Sequence, residues 1–298
     1  MAPRSRRARR PRSSREAPTL PAGEVPIDTG TARVETDPED PERLTLYVND
    51  VPSSCLDLGD AGFLAFEYLQ QMAAVVDTLP DGPLRAVHLG AAGCALPRYV
   101  DHTRPGSRQI GVDVDAELLR LVRRWFDLPR SPALRLRADD AGHALAGLSP
   151  GLADVVVRDV FAGDTTPDHL VGTAFARACV RAVRPGGVVL ANCADRPPLT
   201  TARREVAAFA EALGPGAIDG GRLALVAEPA ILKGRRYGNV TIVAVAPTPD
   251  GETDPDGPPA LDVRAPALGR ALRSLAVPAH VLAGEELARF IGSVAPLP

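Results

Sequence analysis

Lysine is nearly missing from this chain: Lys233 stands alone among 298 residues, and arginine carries almost all the positive charge. Aromatic residues make up 4% of the sequence, too few for the stacked aromatic platform of a single-strand nucleic-acid binder. The four cysteines, Cys55, Cys94, Cys179 and Cys193, form no C-x-x-C pair. That spacing argues against a zinc site and against a disulfide framework, and Cys179 and Cys193 sit in apolar settings that suit small core residues. No apolar run is long enough to span a bilayer, and the Arg-rich start has no apolar stretch behind it, so a secretory signal is not expected. These absences predict a cytoplasmic protein that binds neither membrane nor, through its folded part, nucleic acid.

What is present is an ordinary globular composition, 45% apolar and 24% charged, with the charge unevenly placed. Residues 1–16 hold seven Arg against one Glu, so this segment is +6 while the whole chain is −3, which leaves −9 on the rest. An acidic globular part suits a cationic substrate better than a polyanion.

Residues 1–43 lack apolar periodicity and are expected to be a disordered Arg-rich tail. Residues 44–82 read as a β-hairpin turning at Asn49-Asp50, followed by an amphipathic helix over 63–79. Residues 83–246 alternate strand and helix. Strands are expected over 86–89, 109–112, 134–137, 154–158 and 188–192, with helices between them. A final antiparallel pair is expected over 222–227 and 239–246, at the sheet edge. Residues 247–259 read as a linker, and 260–298 as two short helices. The fold class is therefore α/β: a Rossmann-like, mostly parallel sheet with helices on both faces, preceded by a small N-terminal β-element.

The stretch 84–115 organises this pattern. An apolar run enters the loop Gly90-Ala91-Ala92-Gly93, and a second run ends in Asp113 and Asp115. This is the layout of a nucleoside-binding half-fold. The glycines are expected to let a ligand approach the backbone, and Asp113 to take ribose hydroxyls. Ligands of such sheets lie beyond the carboxyl ends of the strands, and acids stand at four of those ends: Asp113 and Asp115, Asp139 and Asp140, Asp159 with Asp164, and Asp195. The four groups are expected to converge on one crevice. Those after the fourth strand face the reacting end, where they could take a proton from an amine. His88 lies within a strand and reads as buried. His102, His143 and His169 read as surface or helix-end residues, with His169 near the crevice.

With these residues laid out, residues 44–246 resemble the spermidine synthase family, the polyamine aminopropyltransferases, especially the spermidine-synthase-like branch of high-GC bacteria. Leu89-Gly90-Ala91-Ala92-Gly93 is similar to the family's glycine loop, and Leu96-Pro97-Arg98-Tyr99 to the L-P-R-Y that follows it in the bacterial branch. Val112-Asp113-Val114-Asp115 is similar to the V-E-I-D motif and Asp140-Ala141 to the G-D-A motif, with Asp139 in place of the Gly. Val155–Asp159 with Gly163-Asp164-Thr165-Thr166-Pro167 is similar to the strand-four signature, and Arg184-Pro185-Gly186-Gly187 to the K-P-G-G turn. The family's D-G-x-x-Q segment reads Asn49-Asp50-Val51-Pro52-Ser53 here. Its Tyr-His pair has become Phe66-Glu67-Tyr68, without the His.

The resemblance implies aminopropyl transfer from decarboxylated S-adenosylmethionine to a diamine such as putrescine, releasing methylthioadenosine, with no metal. It implies that Asp159 is the catalytic base. Gly90, Ala91, Gly93, Asp113, Asp139 and Asp140 would hold the donor, and Asp164, Tyr68 and Ser53 the amine. Family members often dimerise, so a homodimer is an expectation of the resemblance alone. Two other activities share the nucleoside half: a methyltransferase using S-adenosylmethionine itself, and a non-catalytic nucleoside-binding protein.

Overall fold

In the computed structural model, which describes residues 20–163, 165–248 and 260–297, the chain opens with an antiparallel sheet. Its strands β1 (Val25–Ile27), β2 (Gly30–Thr36), β3 (Arg43–Val48) and β4 (Val51–Asp57) lie side by side in chain order. Asn49 and Asp50 both take positive φ, 49° and 63°, the two-residue hairpin geometry that Asn and Asp tolerate best. Leu46 pairs with Ser54 and Tyr47 with Pro52, which leaves Ser53 as a bulge residue.

Residues 25–27 and 30–36 were expected to belong to a disordered tail; they are strands, held by pairing with each other and with β3 in place of any apolar period of their own. Ala32 is buried and pairs with Val48, while Val34 pairs with Leu46. The turn before β2 is also tied to the main sheet. The Thr29 N–H and hydroxyl donate to Asp115 Oδ2 at 2.7 and 2.8 Å, and the Glu117 N–H donates to Asp28 Oδ2 at 3.1 Å. The Arg-rich residues 1–16 and the linker core 249–259 lie outside the described residues.

After helix α1 (Glu67–Thr78) come β5 (Arg85–Leu89), α2 (Ala95–Thr103), β6 (Arg108–Asp113), α3 (Ala116–Trp125), β7 (Leu134–Ala138), α4 (Ala141–Ala146), β8 (Ala153–Arg158), α5 (Gly172–Ala182), β9 (Val183–Asp195) and α6 (Thr200–Leu213). A 3-10 turn, Asp168–Leu170, precedes α5. The chain ends through β10 (Leu223–Ala227), α7 (Pro229–Leu232), β11 (Gly238–Val245), α8 (Pro266–Arg273), β12 (His280–Ala283) and α9 (Gly284–Ile291). The main sheet has the order β12-β10-β11-β9-β8-β5-β6-β7, with β5 to β9 parallel and β10, β11 and β12 joined by antiparallel pairings.

Successive strand residues point to opposite faces. Val155 and Val157 join the core beneath α1, while Val156 joins the core beneath α5 and α6. Both faces are covered, so the strands read as continuous apolar runs. The segment 260–298 does hold two helices, yet His280–Ala283 between them pairs with β10. The sheet edge is thus β12, not the β10–β11 pair. Four residues are too few to show a strand period. Among the described residues no helix is long and apolar enough to cross a membrane.

The connections run from β5 towards β6 and β7 on one side, and from β8 to β9 on the other. The ends of β5 and β8 therefore flank the place where the strand order reverses, the position at which open α/β sheets bind ligands.

Candidate active site

Gly90, just after β5, has φ +84°, and a Cβ there would lie 2.1 Å from the carbonyl oxygen of Asp159. A Cβ on Gly93 would lie 2.6 Å from Cβ of Ser54, and the Gly93 N–H donates to the Ser54 hydroxyl at 3.0 Å. Both glycines leave room for the protein's own chain, pressing β5 against β8 and the loop against β4, and Gly90 also lines the cavity of the site.

Asp113 straps this loop. Its Oδ2 accepts from the N–H groups of Ala91 and Ala92 at 3.3 and 3.0 Å, and its Oδ1 from that of Asp115 at 3.1 Å. Burial pushes the Asp113 carboxyl up, and these N–H groups offset that only in part. Asp115 does other work. It caps α3 through the Leu118 N–H at 2.7 Å and holds Thr29. Burial would raise its carboxyl, but these hydrogen bonds outweigh it and the group lies below its ordinary value.

Asp140 caps α4 through the His143 N–H at 2.9 Å, and its Oδ2 meets Nε2 of His169 at 2.8 Å. Asp139 meets His143 Nδ1 at 2.7 Å and pairs with Arg137. The hydrogen bond from His143 is the main cause holding Asp139 below its ordinary value. His169 thus joins the loop after β8 to the acid at the start of α4.

Across the cavity, Asp159 follows β8, and its N–H donates to Leu89 O at 2.8 Å. Its carboxylate accepts from the Tyr68 hydroxyl at 2.9 Å on Oδ2 and from Asn192 Nδ2 at 2.9 Å on Oδ1. Burial raises the Asp159 carboxyl, while Asn192, Tyr68 and the positive charge of Arg158 pull it down; burial prevails. Burial and the facing carboxylate push the Tyr68 phenol well above its usual value, so it stays a donor. His88 is buried against Gln109, 2.9 Å from Nε2 to Oε1, and burial lowers it to about 4, so it is a neutral wall.

One cavity of about 900 Å³ runs from Asp113, Asp139 and Asp140 over the glycine loop to Tyr68, Asp159 and Asn192. Its far end is lined by Ser53, Phe66, Glu67, Tyr237 and Asn239. The Ser53 hydroxyl donates to Val51 O at 3.0 Å. Asp195 was expected in the crevice but is not among its lining residues. It accepts from the N–H groups of Arg196 and Ala202 at 2.8 and 2.9 Å and so anchors α6. Asp164 lies outside the described residues. Asn192 was legible as the end of a strand, but nothing in its sequence neighbourhood pointed to Asp159, 33 residues earlier. The four cysteines are free and buried.

A cavity at the crossover of a mostly parallel sheet, lined by a carboxylate held by a phenol and an amide, has the architecture of the Rossmann-like S-adenosylmethionine-dependent transferase fold. The structure of a probable spermidine synthase from Corynebacterium glutamicum superposes with a TM-score of 0.79 and 33% identity, over 93% of this chain and 96% of that one. The chain belongs to the spermidine synthase family.

Among curated relatives, the polyamine aminopropyltransferase of Chromobacterium violaceum is 26% identical over 139 residues, which is 47% of this chain and 53% of the relative. That of Neisseria meningitidis serogroup A is 24% identical over 144 residues, 48% of this chain and 55% of the relative. The chain thus spans about half the length of the curated relatives it matches. A spermidine synthase crystallised with a transition-state analogue shares the fold, with a TM-score of 0.51 and 12% identity over 75% of this chain and 71% of that one. No family model matches the sequence.

Proposed function

We propose that this chain transfers the aminopropyl group of decarboxylated S-adenosylmethionine to an amine acceptor such as putrescine. The observation that carries the proposal is the Asp159 carboxylate, held by Tyr68 and Asn192 in a cavity that Asp113 and the glycine loop also line. The acceptor nitrogen attacks the carbon beside the sulfonium. The carbon–sulfur bond breaks with its electron pair left on sulfur, methylthioadenosine departs, and Asp159 takes the proton lost by the amine. A carboxyl raised by burial suits that task, because a base must keep some affinity for the proton it accepts. Asp113 would hold the ribose, Asp139 and Asp140 the adenine end, and Glu67, Ser53 and Asp164 the remainder of the amine. The acids near the transfer point would repel the carboxylate of ordinary S-adenosylmethionine, which favours the decarboxylated donor over methyl transfer.

The test is product analysis by mass spectrometry, with a panel of diamines and each of the two donors in turn. Methylthioadenosine that appears only with an amine is the expected result, and its partner product names the acceptor. S-adenosylhomocysteine would move the chain to the methyltransferases, and neither product would favour a binding role.

His169→Ala gives a smaller, separable effect. Asp140 keeps its cap on α4 but loses the imidazole that ties it to the loop after β8. Affinity for methylthioadenosine should fall about 3- to 10-fold, in line with one exposed hydrogen bond, with melting temperature unchanged. Titration calorimetry and a thermal melt check both.

A further inference from the structure

Directly behind the reacting carboxylate lies a charge pair that takes no part in the chemistry above. Arg158, the residue before Asp159, has no solvent exposure, and Glu205 of α6 has 2%. Arg158 Nη1 and Glu205 Oε2 are 2.6 Å apart. The same guanidinium donates from Nη1 to Leu170 O at 3.0 Å and from Nη2 to Asn192 O at 2.6 Å. Arg158 Nε has no hydrogen-bond partner among the described residues, and the Glu205 carboxylate also takes a hydrogen bond from the Cys193 thiol.

Such a pair is a poor way to stabilise a core. Removing both ions from water costs more than their attraction returns unless every polar atom is satisfied, and apolar side chains of similar volume are often equally stabilising or better. Here Arg158 Nε is unsatisfied, so stability alone does not account for the pair. What the guanidinium does hold is informative. It fixes the backbone of Asn192, whose amide donates to Asp159, and it fixes Leu170, which ends the 3-10 turn closing the loop after β8. Val160, Phe161 and Pro167 of that loop line the cavity. Arg158 pairs in register with Ala191, not Asn192, so its side chain leaves the sheet on the face away from the Asn192 amide.

We propose that Arg158 and Glu205 form a buried positioning pair: Glu205 orients the guanidinium, and the guanidinium sets Asn192 and the end of the β8 loop so that Asp159 meets the amine in one geometry. The inference rests on the reading of Asp159 as proton acceptor. Neither residue lines the cavity, so both act through others. The titratable groups facing the pair are the thiols of Cys179 on α5 and Cys193 on β9, both pushed up by burial, Cys179 to about 12. Those facing Asp159 are the Tyr68 phenol and Arg158 itself.

The experiment compares the wild-type chain, the apolar double variant Arg158→Met/Glu205→Leu, and the single variant Glu205→Gln. Three quantities are read: melting temperature, steady-state release of methylthioadenosine, and the pH midpoint of the Asp159 carboxyl. The midpoint is followed by ¹³C NMR and assigned with Asp159→Asn. The expected result for the double variant is a melting temperature at or above wild type, kcat lower by about tenfold or more, and a donor KM within about threefold. Its Asp159 midpoint should move up, because a positive charge beside the carboxylate is gone. Glu205→Gln, which keeps that charge but frees the guanidinium, should lower kcat similarly without an upward midpoint shift, and it carries the test if the double variant does not fold.

A folded variant with wild-type kcat and an unmoved midpoint overturns the proposal. If the wild-type chain makes no methylthioadenosine with any amine, the functional reading fails. The midpoint of the double variant then still decides whether the pair governs Asp159.

Discussion

Asp159→Asn should lower kcat by about 10²- to 10⁴-fold, the range for loss of a positioned general base, while affinity for methylthioadenosine stays within about twofold. The side chain remains the same size, and Asn192 can still donate to its oxygen. Asp113, proposed to hold the ribose, keeps its own hydrogen bonds.

The same substitution should stabilise the fold, and the sign follows from the carboxyl's surroundings. Burial raises the folded-state pKa of Asp159 above that of the unfolded chain. Between the two values the unfolded state binds fewer protons, so stability falls as pH rises through that window and stays lower above it. Asn removes that loss. The variant should therefore melt higher than wild type at pH 8, by about 2–4 °C for each kcal/mol recovered in a chain of this size. The two should converge below the unfolded value, near pH 3.5. Wild-type kcat should rise with pH through the raised pKa as the base form appears. A variant that loses activity and also melts lower at pH 8 would assign Asp159 a structural role and remove it from the chemistry.

Gly90→Ala should be the most damaging single-methyl change in the chain. An L side chain at φ +84° is strained by about 1–2 kcal/mol. Its Cβ would also sit 2.1 Å from the Asp159 carbonyl oxygen, which is backbone and cannot swing aside. Together these should cost about 3–5 kcal/mol, at the upper end for one substitution, and move the peptide of Asp159. A urea midpoint lowered at constant slope, with turnover lost, is the expected outcome. Ala92→Gly, two residues along at φ 37°, is the control: it should leave stability within about 1 kcal/mol of wild type. If Gly90→Ala were as mild as this control, β5 and β8 would not be pressed together as described.

Both experiments turn on one peptide, because the end of β8 supplies the carboxylate proposed as the base and also the backbone against which the glycine loop folds. A ligand-first view of Gly90 would predict weaker nucleoside binding with the fold intact. The packing view predicts a less stable fold.

Much of this protein was legible from residue order. The helices over Ala116–Trp125 and Thr200–Leu213 and the strands of the parallel sheet follow from apolar periods and glycine breaks, which are local properties of the backbone. That acids would line the cavity was legible for a related reason. All parallel strands point the same way, so residues that end them, such as Asp113 and Asp159, must gather on one side of the sheet. Short strands without apolar alternation escaped. Residues 30–36 and His280–Ala283 are strands because β3 and β10 lend them hydrogen-bond partners, and residues 25–27 because they pair in turn with β2.

The tertiary structure alone decided which acid does what. Asp113 and Asp115 are two residues apart and similar in sequence, yet one walls the cavity and the other caps α3. Asp195 ends its strand as Asp159 does, yet it anchors α6. Asn192 and Glu205 acquire their roles from Asp159 and Arg158, more than thirty residues away in the chain. Hydrogen-bond partners of this kind are chosen by how helices and loops pack over the sheet, and no local pattern of residue types encodes that choice.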